Sequence, residues 1–305
     1  MPEGKFEGIV SAIVTPFRPD ERIDYQVWQN LIEIQIASGV HGLLVAGGQG
    51  EFFALNEEER EVAARFCIQT AGGRIPVYVN VGAVTTQETV RLAQKAEGDG
   101  ADALVAVTPY YLRPSQDELV DHYVEIARSV RIPLFGYTIP ERTGVELTPG
   151  ILERVAGQVD NLAGLKDSSG ALERIPAYTA LGLKVFMGRD HLILDGIERG
   201  CVGAVSACAN VAPRAFVALY EAWRAGDREG ARRLQELVEP LRRAFGLGTF
   251  PVVVKEALDL IGLKVGRCRR PAGALPAEAR GKLLEVLETL RAGGWLAAPV
   301  GLAAQ

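Results

Sequence analysis

Eight short apolar runs recur along the chain, and each interval between them has about the length of a strand plus a returning helix. The runs cover residues 9–14, 42–46, 77–81, 103–107, 134–137, 162–166, 185–187 and 203–206. Most are apolar almost throughout and do not alternate with polar residues, which is typical of parallel strands covered on both faces. The pattern therefore predicts a parallel sheet wrapped by helices.

Helix starts are visible between these runs. A capping residue is followed three positions later by glutamate in three places: Asn56 and Glu59, Thr85 and Glu88, and Ser115 and Glu118. Thr148 followed by Pro149 also predicts a helix start, because proline is favoured at the first helical position. Helical patterns after the eighth run cover residues 213–225, 227–245, 252–261 and 276–292.

Eight strand–helix units without a linker predict an α/β fold, a (β/α)8 barrel with a C-terminal helical appendage. We expect residues 1–212 to contain the barrel strands and most of its helices. Residues 213–305 would contain the last barrel helix and the helical extension. A doubly wound sheet is the rival interpretation. The barrel is favoured because unusual residues follow nearly all of the runs and do not cluster at one switch point.

Composition and charge narrow the class of partner. The chain has 305 residues, of which 48% are hydrophobic, so it has the apolar content of a globular protein. Its net charge is −5 and it has no run of lysine or arginine, which disfavours nucleic acid and favours a small-molecule ligand. No stretch approaches a membrane span, no signal-type block opens the chain, and the four cysteines are scattered. These features predict a cytoplasmic protein.

Catalytic groups of a barrel lie where its strands end. The residues that follow or finish the eight runs are Thr15-Pro16, Gly47-Gly48-Gln49-Gly50-Glu51, Gly82, Thr108-Pro109-Tyr110-Tyr111, Tyr137, Lys166, Gly188-Arg189-Asp190 and Ala207-Cys208-Ala209-Asn210. Among the seven lysines of the chain, Lys166 alone ends a predicted strand. Burial there disfavours the ammonium form of a lysine and frees the amine to form a Schiff base with a carbonyl. An ion pair with Asp167 is the alternative, and position alone does not decide between the two.

Two further features have both a structural and a functional interpretation. The three glycines of Gly47-Gly48-Gln49-Gly50 would let backbone N–H groups approach an anion, although a tight turn needs the same residues. Tyr137 could transfer protons beside an amine, although a lone tyrosine at a strand end is more often a packed ring with a satisfied hydroxyl. A metal site is disfavoured, since of the three histidines only His191 could reach the rim of the barrel. Dinucleotide and phosphate-loop signatures are also absent.

Five strings resemble, in order and spacing, the dihydrodipicolinate synthase / N-acetylneuraminate lyase family of pyruvate-dependent class I aldolases. They are Thr15-Pro16-Phe17, Gly47-Gly48-Gln49-Gly50-Glu51, Thr108-Pro109-Tyr110-Tyr111, Tyr137-Thr138-Ile139-Pro140 and Gly164-Leu165-Lys166-Asp167, joined by Asn210-Val211-Ala212-Pro213. The resemblance extends from about Gly8 to Pro271 and implies a (β/α)8 barrel.

The resemblance also implies roles for individual residues. Lys166 would be the Schiff-base lysine for pyruvate or another 2-oxo acid, and Tyr137 the proton-transfer group beside it. Gly48 and Gln49 would bind the substrate carboxylate through their backbone, and the Val205 carbonyl would border the same pocket. Two further assignments concern Tyr111, which would reach a neighbouring subunit's site in a dimer or tetramer, and Arg142, which would bind the second substrate's carboxylate. A surface pair with Glu141 or Glu146 is the alternative for Arg142.

The sequence also departs from the family pattern. Dihydrodipicolinate synthases usually have two threonines where this chain has Gly48 and Gln49, so a hydroxyl that links two tyrosines in a proton relay is missing. The segment 52–55 resembles the sugar-acid branch of the family, whereas segments 111–116 and 142–144 resemble the synthase branch.

The predicted function is therefore that of a lyase that needs neither a metal nor an organic cofactor. Condensation of pyruvate with aspartate semialdehyde is the leading activity. A 2-keto-3-deoxy sugar acid aldolase or dehydratase is the alternative, and a catalytically silent barrel that binds an acid is an alternative of another class.

Overall fold

Eight parallel strands close into a barrel in the computed structural model, which describes residues 5–298. The strands are β1 (Gly8–Ala12), β2 (Gly42–Val45), β3 (Val77–Asn80), β4 (Ala103–Val107), β5 (Leu134–Thr138), β6 (Leu162–Asp167), β7 (Lys184–Met187) and β8 (Gly203–Ser206). They pair in chain order, and β1 pairs with β8 to complete the ring. The predicted (β/α)8 barrel is confirmed, and the rival interpretation, a doubly wound open sheet, is wrong.

The strand bounds differ from the predicted runs by at most two residues. The largest difference is at the end of β1, where Ile13 and Val14 are buried but lie outside the strand. The N–H of Val14 donates to the Asn210 side chain at 3.1 Å instead of continuing the ladder. Hydrophobicity predicts burial at these positions, but it cannot predict that a side chain replaces the strand partner.

Aromatic side chains fill the lower part of the barrel interior. Phe6 from the N-terminal segment meets Tyr78 of β3 edge to face, with ring centroids 5.6 Å apart. Phe135 of β5 and Phe186 of β7 pack against the same tyrosine at 5.7 and 5.9 Å. Because this cluster closes the lower end, the open space of the barrel lies at the carboxyl ends of the strands, where catalytic groups of such barrels are found.

Twelve α-helices accompany the strands in the described residues. They are α1 (Tyr25–Ala37), α2 (Glu57–Ala71), α3 (Thr86–Gly98), α4 (Gln116–Arg128), α5 (Pro140–Thr143), α6 (Pro149–Ala156), α7 (Ile175–Ala180), α8 (Ile193–Glu198), α9 (Pro213–Arg224), α10 (Arg228–Arg243), α11 (Val252–Leu260) and α12 (Ala277–Ala292). The predicted caps are present at the starts of α2, α3, α4 and α6. At Thr85 only the cap side chain makes its bond, so the reciprocal glutamate bond is missing there.

The segment after α10 returns to the mouth of the barrel. It consists of a short 3-10 helix, Ala244–Leu247, followed by a loop that leads into α11. Arg242 at the end of α10, and Phe245 and Phe250 after it, line the open end of the barrel. Between residues 5 and 298, no helix is long and apolar enough to cross a membrane.

Candidate active site

A cavity of about 280 Å³ lies at the carboxyl ends of the strands. Its wall contains six of the residues singled out by the sequence: Gly48, Gln49, Tyr137, Arg142, Lys166 and Val205. These residues follow or finish four different strands, which explains how positions more than 150 residues apart come together. The structure therefore brings these six residues together, while their assignment to a site and their individual roles stay predictions.

Lys166 lies inside the barrel near the end of β6. Its side chain is only 5% exposed, and its Nζ lies 4.0 Å from the centroid of the Tyr137 ring. Within residues 5–298 it makes no hydrogen bond or ion pair through Nζ. Asp167 is the next residue of a strand and so points to the opposite face, where its Oδ1 accepts from the Ser169 N–H at 2.7 Å. The alternative ion pair between Lys166 and Asp167 is therefore not formed.

The glycine loop between β2 and α2 forms one side of the cavity. Within the described chain, the N–H groups of Gly48 and Gln49 have no protein acceptor. The Oε1 atom of Gln49 is also buried without a partner there. Asn80 of β3 donates through Nδ2 to the Ala46 carbonyl at 2.8 Å and so anchors the start of the loop. Two free N–H groups facing a cavity are suited to a carboxylate.

Gly48 also has a close neighbour. A Cβ atom at this position would lie 3.0 Å from Cζ of Phe250 and 4.0 Å from the Tyr137 hydroxyl. The ring of Phe250 therefore borders the space in which a side chain at position 48 would stand. The hydroxyl that is missing from the sequence at this position would have stood beside the Tyr137 hydroxyl.

Arg142 lies on the short helix α5 and also lines the cavity. Its guanidinium lies 3.9 Å above the centroid of the Phe250 ring. Its pairing with Glu141 is loose, at 3.9 Å, because the Glu141 carboxylate accepts from Arg189 at 2.7 Å. Glu146, the other candidate partner, pairs with Arg174. The predicted surface pair is thus present only as a long contact, and the guanidinium remains available to a ligand.

Asp190 is a buried acid on the same cavity wall, after β7. The Ser206 hydroxyl donates to its carboxylate, and burial raises the pKa of Asp190 above its usual range. A raised pKa means that Asp190 binds a proton more readily than an exposed aspartate does.

Tyr111 does not line the cavity of its own chain. Its side chain is fully exposed, and its backbone has a φ of +77°, a left-handed conformation that is uncommon for a residue with a side chain. Leu112 and Phe53 are exposed hydrophobic residues as well. The predicted role of Tyr111 in a neighbouring subunit stays a prediction.

Sequence reasoning missed Phe250 and Arg242. Both line the cavity, but they belong to the segment after the eighth strand unit, which we had assigned to an appendage. The pairing of a glycine at position 48 with an aromatic residue 202 positions later is a tertiary feature. No local pattern could have indicated it.

The histidines are spread over the molecule, as expected. The ring of His41 accepts at the bottom of the barrel from the Ile9 N–H, and buried His122 contacts Thr86. In the part of the chain that the structure describes, no group of three or more His, Cys, Asp or Glu side chains could hold a metal ion.

A (β/α)8 barrel with a buried lysine at a strand end is the arrangement expected of a lyase of the class I aldolase type. Comparison with known proteins agrees. The sequence model of the dihydrodipicolinate synthetase family matches residues 5–290. A 4-hydroxy-tetrahydrodipicolinate synthase of Archaeoglobus fulgidus is 37% identical over 289 residues, which cover 93% of this chain and 98% of that protein.

Two solved structures show the same similarity. A chloride-inhibited dihydrodipicolinate synthase from Acinetobacter baumannii, in complex with pyruvate, has a TM-score of 0.89 and 33% identity, covering 93% of this chain and 98% of that one. YagE, a prophage protein of the same family from E. coli, also in complex with pyruvate, has a TM-score of 0.90 and 32% identity, covering 94% and 99%.

The chain belongs to the dihydrodipicolinate synthetase family. The predictions of the family and of a lyase of the class I aldolase type are confirmed.

Proposed function

We propose that this protein condenses pyruvate with aspartate semialdehyde, as a 4-hydroxy-tetrahydrodipicolinate synthase does, and that Lys166 forms the Schiff base. The observation that carries the proposal is a buried lysine that faces a cavity beside Tyr137 and has no hydrogen-bond or ion-pair partner among residues 5–298. Relatives named as this synthase match most of the chain, which supports the same activity.

The proposed reaction begins at the Lys166 amine. The amine adds to the 2-oxo carbon of pyruvate, and the carbonyl oxygen leaves as water to give an iminium. A proton then leaves the pyruvate methyl carbon, the iminium nitrogen takes the electron pair, and an enamine results. The enamine carbon bonds to the aldehyde carbon of the second substrate, the aldehyde oxygen takes a proton, and the iminium to Lys166 is restored. Water or the amino group of the joined semialdehyde then adds to the iminium carbon, and the Lys166 amine leaves, which releases the product and restores the enzyme.

The neighbouring residues have defined parts in this scheme. Tyr137 moves protons at the carbon being joined, which its place against Lys166 supports. The free N–H groups of Gly48 and Gln49 bind the pyruvate carboxylate, and the Val205 carbonyl borders the same pocket. Arg142 binds the carboxylate of aspartate semialdehyde, since its guanidinium has only a long contact to Glu141.

The experiment is a steady-state assay of pyruvate with aspartate semialdehyde. Arg142→Ala is expected to raise KM for aspartate semialdehyde roughly tenfold or more and to leave KM for pyruvate within about twofold, because a charge-assisted bond to one substrate is lost. Arg154→Ala is the matched control, since Arg154 pairs with Asp117 on the surface outside the cavity. Equal effects of Arg142→Ala on both substrates would count against the synthase activity.

One observation favours a second candidate, a 2-keto-3-deoxy sugar acid aldolase or dehydratase. Gly48 supplies no hydroxyl, and Phe250 fills the space beside it. A panel of pyruvate with several aldehydes, together with cleavage of several keto-deoxy acids, separates the two activities. Turnover of any of these compounds that is lost in Tyr137→Phe excludes a silent acid-binding barrel.

We also propose that the protein is a cytoplasmic homo-oligomer, at least a dimer and by resemblance a tetramer. The exposed side chains of Tyr111, Leu112 and Phe53 support a subunit contact, because exposed apolar clusters are typical of interaction sites. Sedimentation velocity of the protein and of Leu112→Asp tests this proposal, with a smaller species expected for the variant.

The division into a barrel part, residues 1–212, and a C-terminal part, residues 213–305, likewise stays a proposal.

A further inference from the structure

Phe250 occupies a place between the two substrate-binding features of the cavity. Its Cζ and Cε1 atoms would lie 3.0 and 3.5 Å from a Cβ atom at Gly48, in the loop that faces the pyruvate carboxylate. Its ring face lies 3.9 Å below the guanidinium of Arg142. One aromatic side chain thus contacts both walls.

The contact with Gly48 is a steric one. A Cβ at 3.0 Å from the ring is closer than ordinary van der Waals contact, so a side chain at position 48 would require the Phe250 ring to shift by a few tenths of an ångström. The glycine therefore leaves the ring in its place.

The contact with Arg142 is an electrostatic one. A guanidinium stacked on an aromatic face is attracted by the ring quadrupole, and it keeps its N–H donors free at its edges. The nearest carboxylate, Glu141, is 3.9 Å away and already bonded to Arg189. Stacking on Phe250 is therefore the close contact that fixes where the Arg142 charge lies.

We propose that Phe250 is a specificity-determining positioning residue, which holds Arg142 over the cavity so that the site selects a second substrate with an anionic end. This inference rests on the proposed function and deepens it. The ring itself takes no part in bond making. Its contribution is to the binding of the acceptor aldehyde and not to Schiff-base formation.

The test compares Phe250→Leu, which keeps an apolar filling but loses the aromatic face, with Phe250→Tyr, which keeps the ring. Phe250→Leu is expected to raise KM for aspartate semialdehyde about tenfold, while KM for pyruvate stays within about twofold and Phe250→Tyr restores the value. With glyceraldehyde, a neutral acceptor, Phe250→Leu and the wild type should not differ. Trp223→Leu is the control, because it removes a similar stack with Arg228 outside the cavity.

A second readout does not depend on turnover. The enzyme is reduced with borohydride in the presence of pyruvate, and the binding of homoserine, a non-reacting analogue of aspartate semialdehyde, is titrated by ligand-observed NMR. The dissociation constant is expected to rise about tenfold in Phe250→Leu and to return in Phe250→Tyr. Lack of condensation by the wild type would defeat the proposed function. Equal affinity of wild type and Phe250→Leu for homoserine, or no binding by either, would overturn the inference about Phe250.

The steric contact between Gly48 and Phe250 is tested by a double variant. Gly48→Ala should raise KM for pyruvate in the wild type because the ring must move, and it should do so much less in the Phe250→Leu background. Independent effects of the two substitutions would show that the ring does not control the glycine loop, and would overturn this part.

Discussion

Two buried lysines of this barrel have opposite surroundings. Lys166 is 5% exposed and Lys255 is 2% exposed, so burial does not distinguish them. The Nζ of Lys255 lies 2.5 Å from the Glu51 carboxylate and donates to the Arg267 carbonyl at 3.2 Å. Lys166 instead faces a cavity and the Tyr137 ring, without such partners in residues 5–298. Under the proposed function, the missing partner, and not burial, is what distinguishes the Schiff-base lysine from the structural one.

The Lys255 region also has a structural task. Glu51 stands at the end of the glycine loop, where its φ is +56°, and its second carboxylate oxygen accepts from the Arg269 N–H at 3.0 Å. The ion pair therefore ties the glycine loop to α11. The loop thus joins a paired buried lysine on one side to the cavity that contains Lys166 on the other.

The largest expected effect comes from Lys166→Met. It removes the amine that forms the Schiff base, so we expect turnover to fall by at least about 10³-fold, each factor of ten being about 1.4 kcal/mol of barrier. Stability should be unchanged or higher, because no ion pair is broken. Assays and thermal unfolding check both halves. Substantial turnover by Lys166→Met would contradict the assignment of Lys166 as the catalytic lysine and Lys255 as the structural one.

The same substitution at the other lysine should have the opposite result. Lys255→Met leaves the Glu51 carboxylate buried and unpaired, which is expected to lower the free energy of unfolding by about 3–5 kcal/mol. Urea unfolding measures the change. The double variant Lys255→Met/Glu51→Gln should recover part of the loss, and any protein that remains folded should still form the pyruvate adduct. A stability equal to that of the wild type would show that this pair is not structural.

His122 is a third buried titratable group, and its burial disfavours the charged form of the imidazole. Burial lowers the pKa of His122 from its usual 6.5 to about 4. Between these values the unfolded chain binds a proton that the folded protein excludes, so stability is full above about pH 6.5 and is lost as pH falls. Between pH 7 and 5, the wild type should lose about 2 kcal/mol more than His122→Gln in urea unfolding. Identical pH profiles would contradict this burial effect.

The smallest effect is expected at Lys184, on the strand next to Lys166 but at its opposite end. Its Nζ pairs with Glu7 at 3.0 Å, and the two side chains are 22% and 40% exposed. Such partly exposed pairs contribute less than about 1 kcal/mol, so Lys184→Met should unfold almost as the wild type does and should keep full turnover. A loss of turnover in Lys184→Met would mean that the position of a lysine along its strand does not distinguish a structural lysine from a catalytic one.

The sequence predicted the barrel and the strand-end residues Tyr137 and Lys166 because these follow from local patterns. Apolar runs mark strands, and the residues after them lie at one end of the barrel. Lys166 was found this way. Arg142 and Val205 came only from the resemblance to the family.

Lys255 was assigned only to a helical pattern, since its partner Glu51 is 204 positions away. Phe250 and Arg242 were missed for the same reason: tertiary contacts between distant segments leave no periodic signal.

The most direct measurement is mass spectrometry of the protein after incubation with pyruvate and borohydride. The account predicts one reduced pyruvate adduct, found by peptide digestion on Lys166, and no adduct in Lys166→Met. Absence of an adduct in the wild type, or an adduct on Lys255 or another lysine that survives Lys166→Met, would contradict it.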